Sequence, residues 1–135
     1  MSRWSLRRTG SLAYREYLRP QAWHWRRQRY FRDLRAAGFD PACQVCGLRL
    51  DEAGSLDLHH LSYAGISQRP DGSWVAGEDN ADLMPLCRKH HREVHRLMDS
   101  GKTYFAWDRG RATHVVVAQL RTKYNQQEEI AHDAQ

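Results

Sequence analysis

The stretch Asp82-Leu83-Met84-Pro85-Leu86-Cys87-Arg88-Lys89-His90-His91-Arg92-Glu93-Val94-His95 decides how this chain is to be read. It sets four metal-binding side chains on what reads as the first two turns of a helix. Cys87 and His90 are three apart and His91 and His95 four apart, so each pair shares a face and can share an ion. His90 and His91 are adjacent and diverge by about 100° on a helix of roughly 3.6 residues per turn, which places them on different ions.

Upstream, Cys43-Gln44-Val45-Cys46 supplies two thiols at similar spacing. Together with Cys87 and His90 they make a Cys₃His set, the composition of a closed structural zinc site. Leu56-Asp57-Leu58-His59-His60-Leu61 has the alternation of a strand at its start. In an extended segment His59 and His60 project to opposite sides and need different jobs. One can join His91 and His95 on a second ion with open coordination positions. The other can stay metal-free as a general base, since an ordinary imidazole titrates near 6.5. His24, His114 and His132 have no such company.

The whole chain sets the bounds. Its 135 residues make one domain with terminal extensions, for which a metal cross-link is a substantial help. Three cysteines, two of them in Cys-x-x-Cys, argue for thiolate ligands in a reducing cytoplasm rather than for a disulfide framework. No signal peptide and no transmembrane run is legible. The formal charge of +5 is uneven: residues 1–37 hold ten Arg against Glu16 and Asp33, a net +8, and the remainder carries −3. Such a basic third suits a polyanion partner, and Arg suits phosphate through its forked donors.

Along the chain, residues 1–13 read as a flexible basic arm. Residues 14–37 read as a helix interrupted at Pro20, with Trp23, Tyr30, Leu34 and Ala37 on one face and Phe31 beside them. Arg26, Arg27 and Arg29 on this helix are the expected contacts to the polyanion, joined by Arg88 and Arg92 on the metal helix. Pro70-Asp71-Gly72-Ser73 is a turn. A helix is expected from Arg88 to about Met98, closed by Gly101. Residues 103–107 and 114–117 are expected to be two strands of a C-terminal hairpin around Asp108-Arg109-Gly110, followed by a polar helix that frays.

Leu58-His59-His60-Leu61, the stretch from Asp82 to His91, and His95 together resemble the HNH endonucleases of the ββα-metal, or His-Me finger, fold. Tyr14-Arg15-Glu16-Tyr17-Leu18 and Trp23 ahead of the Cys-x-x-Cys are similar to small free-standing bacterial and phage members. The resemblance covers residues 14–98, within a domain of residues 14–100; residues 101–135 form an extension beyond it. It implies an α+β fold and metal-dependent hydrolysis of duplex DNA, whose backbone the arginines named above would hold, and it leaves RNA open as a substrate. It also implies His60 as general base and a divalent ion (Mg²⁺, Mn²⁺, Ni²⁺ or Zn²⁺) on His59, His91 and His95. Cys43, Cys46, Cys87 and His90 then match the zinc knuckles, with His90 where a fourth Cys is usual. The central Asn of the family name falls on Asp82, counting back from Cys87, with Asn80 as the other choice. A non-catalytic, zinc-stabilised nucleic-acid-binding module is the competing expectation; it leaves His60 and the His91/His95 pair without a role.

Overall fold

The computed structural model describes Tyr17 and residues 21–134, so the expected basic arm lies outside the described residues. The fold is α+β: among the described residues there are four helices longer than a single residue (α1, Gln21–Ala36; α2, Leu50–Ala53; α3, Arg88–Asp99; α4, Arg109–Asp133) and four short strands (β1, Asp57–His60; β2, Ile66–Gln68; β3, Trp74–Ala76; β4, Leu83–Leu86). A 3₁₀ turn spans Asn80–Asp82. The described residues divide into two compact units, Tyr17 and 21–39 with 62–83, and residues 40–61 with 84–134.

In the first unit α1 packs on a β2–β3 hairpin, paired antiparallel with Ile66 opposite Ala76 and Gln68 opposite Trp74. The turn expected at residues 70–73 closes this hairpin, with Gly72 at φ 87°. At its other end two glycines lie back to back: Gly77 N–H donates to the Gly65 carbonyl at 2.9 Å, and a Cβ on Gly65 would run into the Gly77 carbonyl. Tyr17 stacks obliquely on Trp23 and Trp74, with ring centroids 5.5 and 5.4 Å apart.

The buried stripe of α1 is Trp23, Arg26 and Tyr30, while Leu34 is half-buried and Ala37 exposed. Arg26 therefore occupies a core position that the apolar pattern did not assign to it. Its side chain is 1% exposed and donates to the Glu78 carbonyl from Nε (3.1 Å) and Nη2 (2.8 Å), and to Asn80 Oδ1 at 2.6 Å. Tyr17 donates to Glu78 Oε2 at 2.8 Å. Burial lowers the Arg26 pKa, with Arg29 adding to the effect and Glu78 opposing it. Arg26 is thus an internal brace and not the DNA contact expected of it. Arg29 is exposed, and Arg27 lies over the Phe31 ring at 5.9 Å.

The second unit holds both groups of metal-binding residues. β1 and β4 pair in a two-stranded sheet, and α3 packs on β1 and on α4. The expected C-terminal hairpin is not there. Residues 109–133 form one continuous helix, α4. Asp108, read as part of a loop, is its N-cap and accepts from the Arg111 N–H at 3.0 Å. The run Val115-Val116-Val117 suggested a strand, but burial follows Ala112, Thr113, Val116, Val117 and Leu120, one stripe of a helix. Packing of that stripe overrides the β-branched preference. No helix among the described residues is long and apolar enough to cross a membrane.

Candidate metal centres

The Cys-x-x-Cys sits in a tight turn. Gly47, at φ 76°, donates to the Cys43 carbonyl at 2.8 Å, and Cys43 N–H donates to the Leu48 carbonyl at 2.8 Å. Glycine takes this left-handed conformation without the Cβ penalty, so the chain can fold back and aim both thiols one way. The partner pair comes from the start of α3. Cys87 is its N-cap, in extended conformation, and its carbonyl accepts the first helical bond, from His91 N–H at 2.8 Å. This places His90 a turn later, with Nδ1 3.3 Å from Cys87 Sγ and 3.8 Å from Cys43 Sγ.

Cys43, Cys46, Cys87 and His90 thus gather with donor atoms within 4.8 Å of one another, close enough to bind a metal such as zinc. Burial pushes the Cys87 thiol up to about 12, and burial also raises Cys46. Burial lowers His90 below the ordinary imidazole value, which keeps its lone pair available. Without a cation Cys46 and Cys87 hold their protons; binding an ion releases them and couples folding to metal.

His59, His91 and His95 form a second group, also with donor atoms within 4.8 Å. β1 carries His59 and α3 the other two, four residues apart. Their ring centroids are 5.4 Å (His59–His91), 5.1 Å (His59–His95) and 4.7 Å (His91–His95) apart, and His91 Nε2 lies 3.1 Å from His95 Nε2. His59 is fully buried, whereas the His91 and His95 side chains are 20% and 35% exposed, so the group opens to solvent on its α3 side. Burial drives His59 well below 6.5, with Arg109 and the other imidazoles adding to it; burial and His91 bring His95 down to about 4. Both are neutral near pH 7, the form that ligates.

Polar neighbours hold these rings. His91 Nδ1 lies 3.0 Å from Asp57 Oδ2, and Arg88 Nη2 approaches the other Asp57 oxygen at 3.6 Å. His95 Nδ1 faces Asp99 Oδ2 at 3.8 Å. His59 Nε2 is 2.9 Å from Thr113 Oγ1, and His59 Nδ1 is enclosed without a hydrogen-bond partner. Such an orphaned imidazole nitrogen beside two other imidazoles is what a bound cation would satisfy, so the donor set fits a divalent ion.

Of the other expected site residues, His60 is fully buried beside His59 and stays out of both groups; its carbonyl accepts from Arg109 Nε at 2.7 Å. Asp82 belongs to the first unit and closes the 3₁₀ turn, its N–H donating to the Asp79 carbonyl at 3.0 Å. Asn80 is committed to structure: it accepts from Arg26 and donates to Asp33 Oδ2 at 3.1 Å. Arg88 and Arg92 are exposed on α3. Asp57, Thr113 and Arg109 were missed. Asp57 could have been found from its place two residues before the His pair; the other two lie 54 and 49 residues from their partners and leave no local signal. Comparison with protein-family models, curated proteins and solved structures gives no match for this chain.

Proposed function

We propose that the chain is a metal-dependent DNA endonuclease of the HNH, ββα-metal type, in which β1, β4 and α3 form the ββα element. The single observation that carries this reading is the second histidine group. A closed Cys₃His knuckle accounts for stability, but it needs no His59/His91/His95 triad opening to solvent on one side. A binding module has no use for such a triad.

A divalent ion held by His59, His91 and His95 would supply Lewis-acid stabilisation of the charge that builds on phosphoryl and leaving oxygens. The rest falls to side chains. His60 accepts the proton of the attacking water at a ring nitrogen; because it has no exposed surface, this role requires local opening when substrate binds. Asp57 orients the His91 ring. Arg88 and Arg92, exposed on the same helix, would meet phosphate, and Arg29 would add to the basic surface of α1.

The test is cleavage of supercoiled plasmid by the wild type and by His60→Ala. Each is treated with EDTA and then resupplied with Mg²⁺, Mn²⁺, Ni²⁺ or Zn²⁺. Metal-dependent nicking or linearisation that the variant loses, while it keeps two ions per chain, supports the reading. DNA binding without cleavage under every ion would leave the zinc-stabilised binding module in its place.

A further inference from the structure

We propose that Thr113, on α4 and outside the stretch that resembles the family, is a positioning residue that decides which nitrogen His59 offers to a metal. It holds Nε2 protonated and leaves Nδ1 as the ligand atom. The inference rests on reading His59, His91 and His95 as a metal group.

The argument is a count of protons. A threonine hydroxyl has one proton and two lone pairs. The Thr113 hydroxyl is 2.9 Å from the Arg109 carbonyl one turn back and 3.5 Å from Met98 Sδ. The carbonyl is the better acceptor and takes the proton. Toward His59 the oxygen then has only lone pairs to offer, so the Nε2 at 2.9 Å donates. An imidazole that ligates a metal is neutral and carries one N–H; with that proton on Nε2, facing the Thr113 oxygen, Nδ1 bears the lone pair. That nitrogen is the enclosed one without a hydrogen-bond partner.

The other two rings obey the same logic with opposite nitrogens. His91 commits Nδ1 to Asp57, and His95 turns Nδ1 toward Asp99, so both present Nε2, and these two atoms lie 3.1 Å apart. Every ring thus has an oxygen behind its outer nitrogen, and only at His59 is that oxygen a hydroxyl. The ligand set is mixed: Nδ1 from the strand, Nε2 twice from the helix. Thr113 is fully buried, so water cannot take over its task. Arg109 Nε on the His60 carbonyl, four residues earlier on the same helix, fixes the backbone just beyond.

The experiment is a zinc titration of the full chain as wild type, Thr113→Val and Thr113→Ser, with side-chain ¹⁵N spectra of the histidines. The wild type is expected to take two ions, with His59 metal-bound at Nδ1 and protonated at Nε2. Thr113→Val should weaken one of the two sites about 10- to 100-fold, leave the other unchanged and scramble the His59 tautomer. Thr113→Ser, which keeps the hydroxyl, should restore both. Zinc on His59 Nε2, or wild-type affinity at both sites in Thr113→Val, would overturn the assignment while leaving the metal group standing. A wild type that binds a single ion would remove the metal reading itself, and the assignment with it.

Discussion

Replacing Arg26 by Ala separates two roles that an arginine on a basic helix can have. The Arg26 side chain is 1% exposed and makes three hydrogen bonds, two to the Glu78 carbonyl and one to Asn80, with Glu78 Oε1 3.9 Å from Nε. Truncation strips these donors and leaves the Glu78 carboxylate, 1% exposed, without the cation beside it. Breaking a buried charged pair from one side costs about 3–5 kcal/mol, because the remaining charge keeps its desolvation penalty. Against a total stability of about 5–15 kcal/mol this is a large share. For a chain of this size it corresponds to a fall in Tm of roughly 10–20 °C. The assay is urea and thermal unfolding of zinc-saturated protein, followed by DNA affinity against salt for whatever fraction stays folded. A phosphate contact would behave oppositely: stability unchanged and a salt slope smaller by about 1. Arg29→Ala, at an exposed position, should show that second pattern. If Arg26→Ala unfolds within about 1 kcal/mol of wild type, on the scale of an exposed pair, the internal brace is refuted.

Chelation, or Cys43→Ser, should unfold the unit that carries the knuckle, since zinc affinity there is part of folding free energy; retention of near-wild-type circular dichroism and melting in the Ser variant would contradict this. Acidification should destabilise protein carrying zinc in the knuckle alone, one ion per chain: His59 is held well below 6.5 and His95 at about 4, so the unfolded chain takes up protons first as the pH falls below about 6.5. Stability should be level above that value and decline toward pH 4, with a shallower decline in His95→Gln. A urea midpoint that stays flat from pH 7 to 4.5 would count against buried neutral imidazoles.

The two histidine and cysteine groupings were legible because helix periodicity acts locally. Spacings of three and four on α3 sort Cys87 with His90 and His91 with His95 whatever the rest of the chain does. What escaped was non-local. Arg26 meets Glu78 52 residues away, and no pattern around either residue announces the other. α4 was misread for a different reason. Three consecutive valines and an Asp-Arg-Gly suit a hairpin as well as a helix; the choice is made by the stripe from Ala112 to Leu120 packing on α3, a tertiary effect. Missing α4 meant missing Thr113 and Arg109 as well, so one local ambiguity concealed the outer support of His59 and His60.

α4 reaches both metal-binding groups. Thr113 and Arg109 meet the His59–His60 segment, while Arg121 donates to the Gln44 carbonyl inside the Cys-x-x-Cys (2.9 Å from Nε, 2.6 Å from Nη2) and Tyr124 meets the His90 ring edge-on at 6.0 Å. Because a ribosome delivers the chain in order, this gives the two groups a shared timetable. His59 emerges 54 residues ahead of Thr113, and Gln44 emerges 77 ahead of Arg121. A nascent chain, or one cut short before α4, would display all seven residues of the two groups yet lack the hydroxyl behind His59 and the guanidinium on the Cys-x-x-Cys turn. The geometry of the two groups is therefore the last property the polypeptide acquires, and it stays unfinished until synthesis of α4 is nearly done.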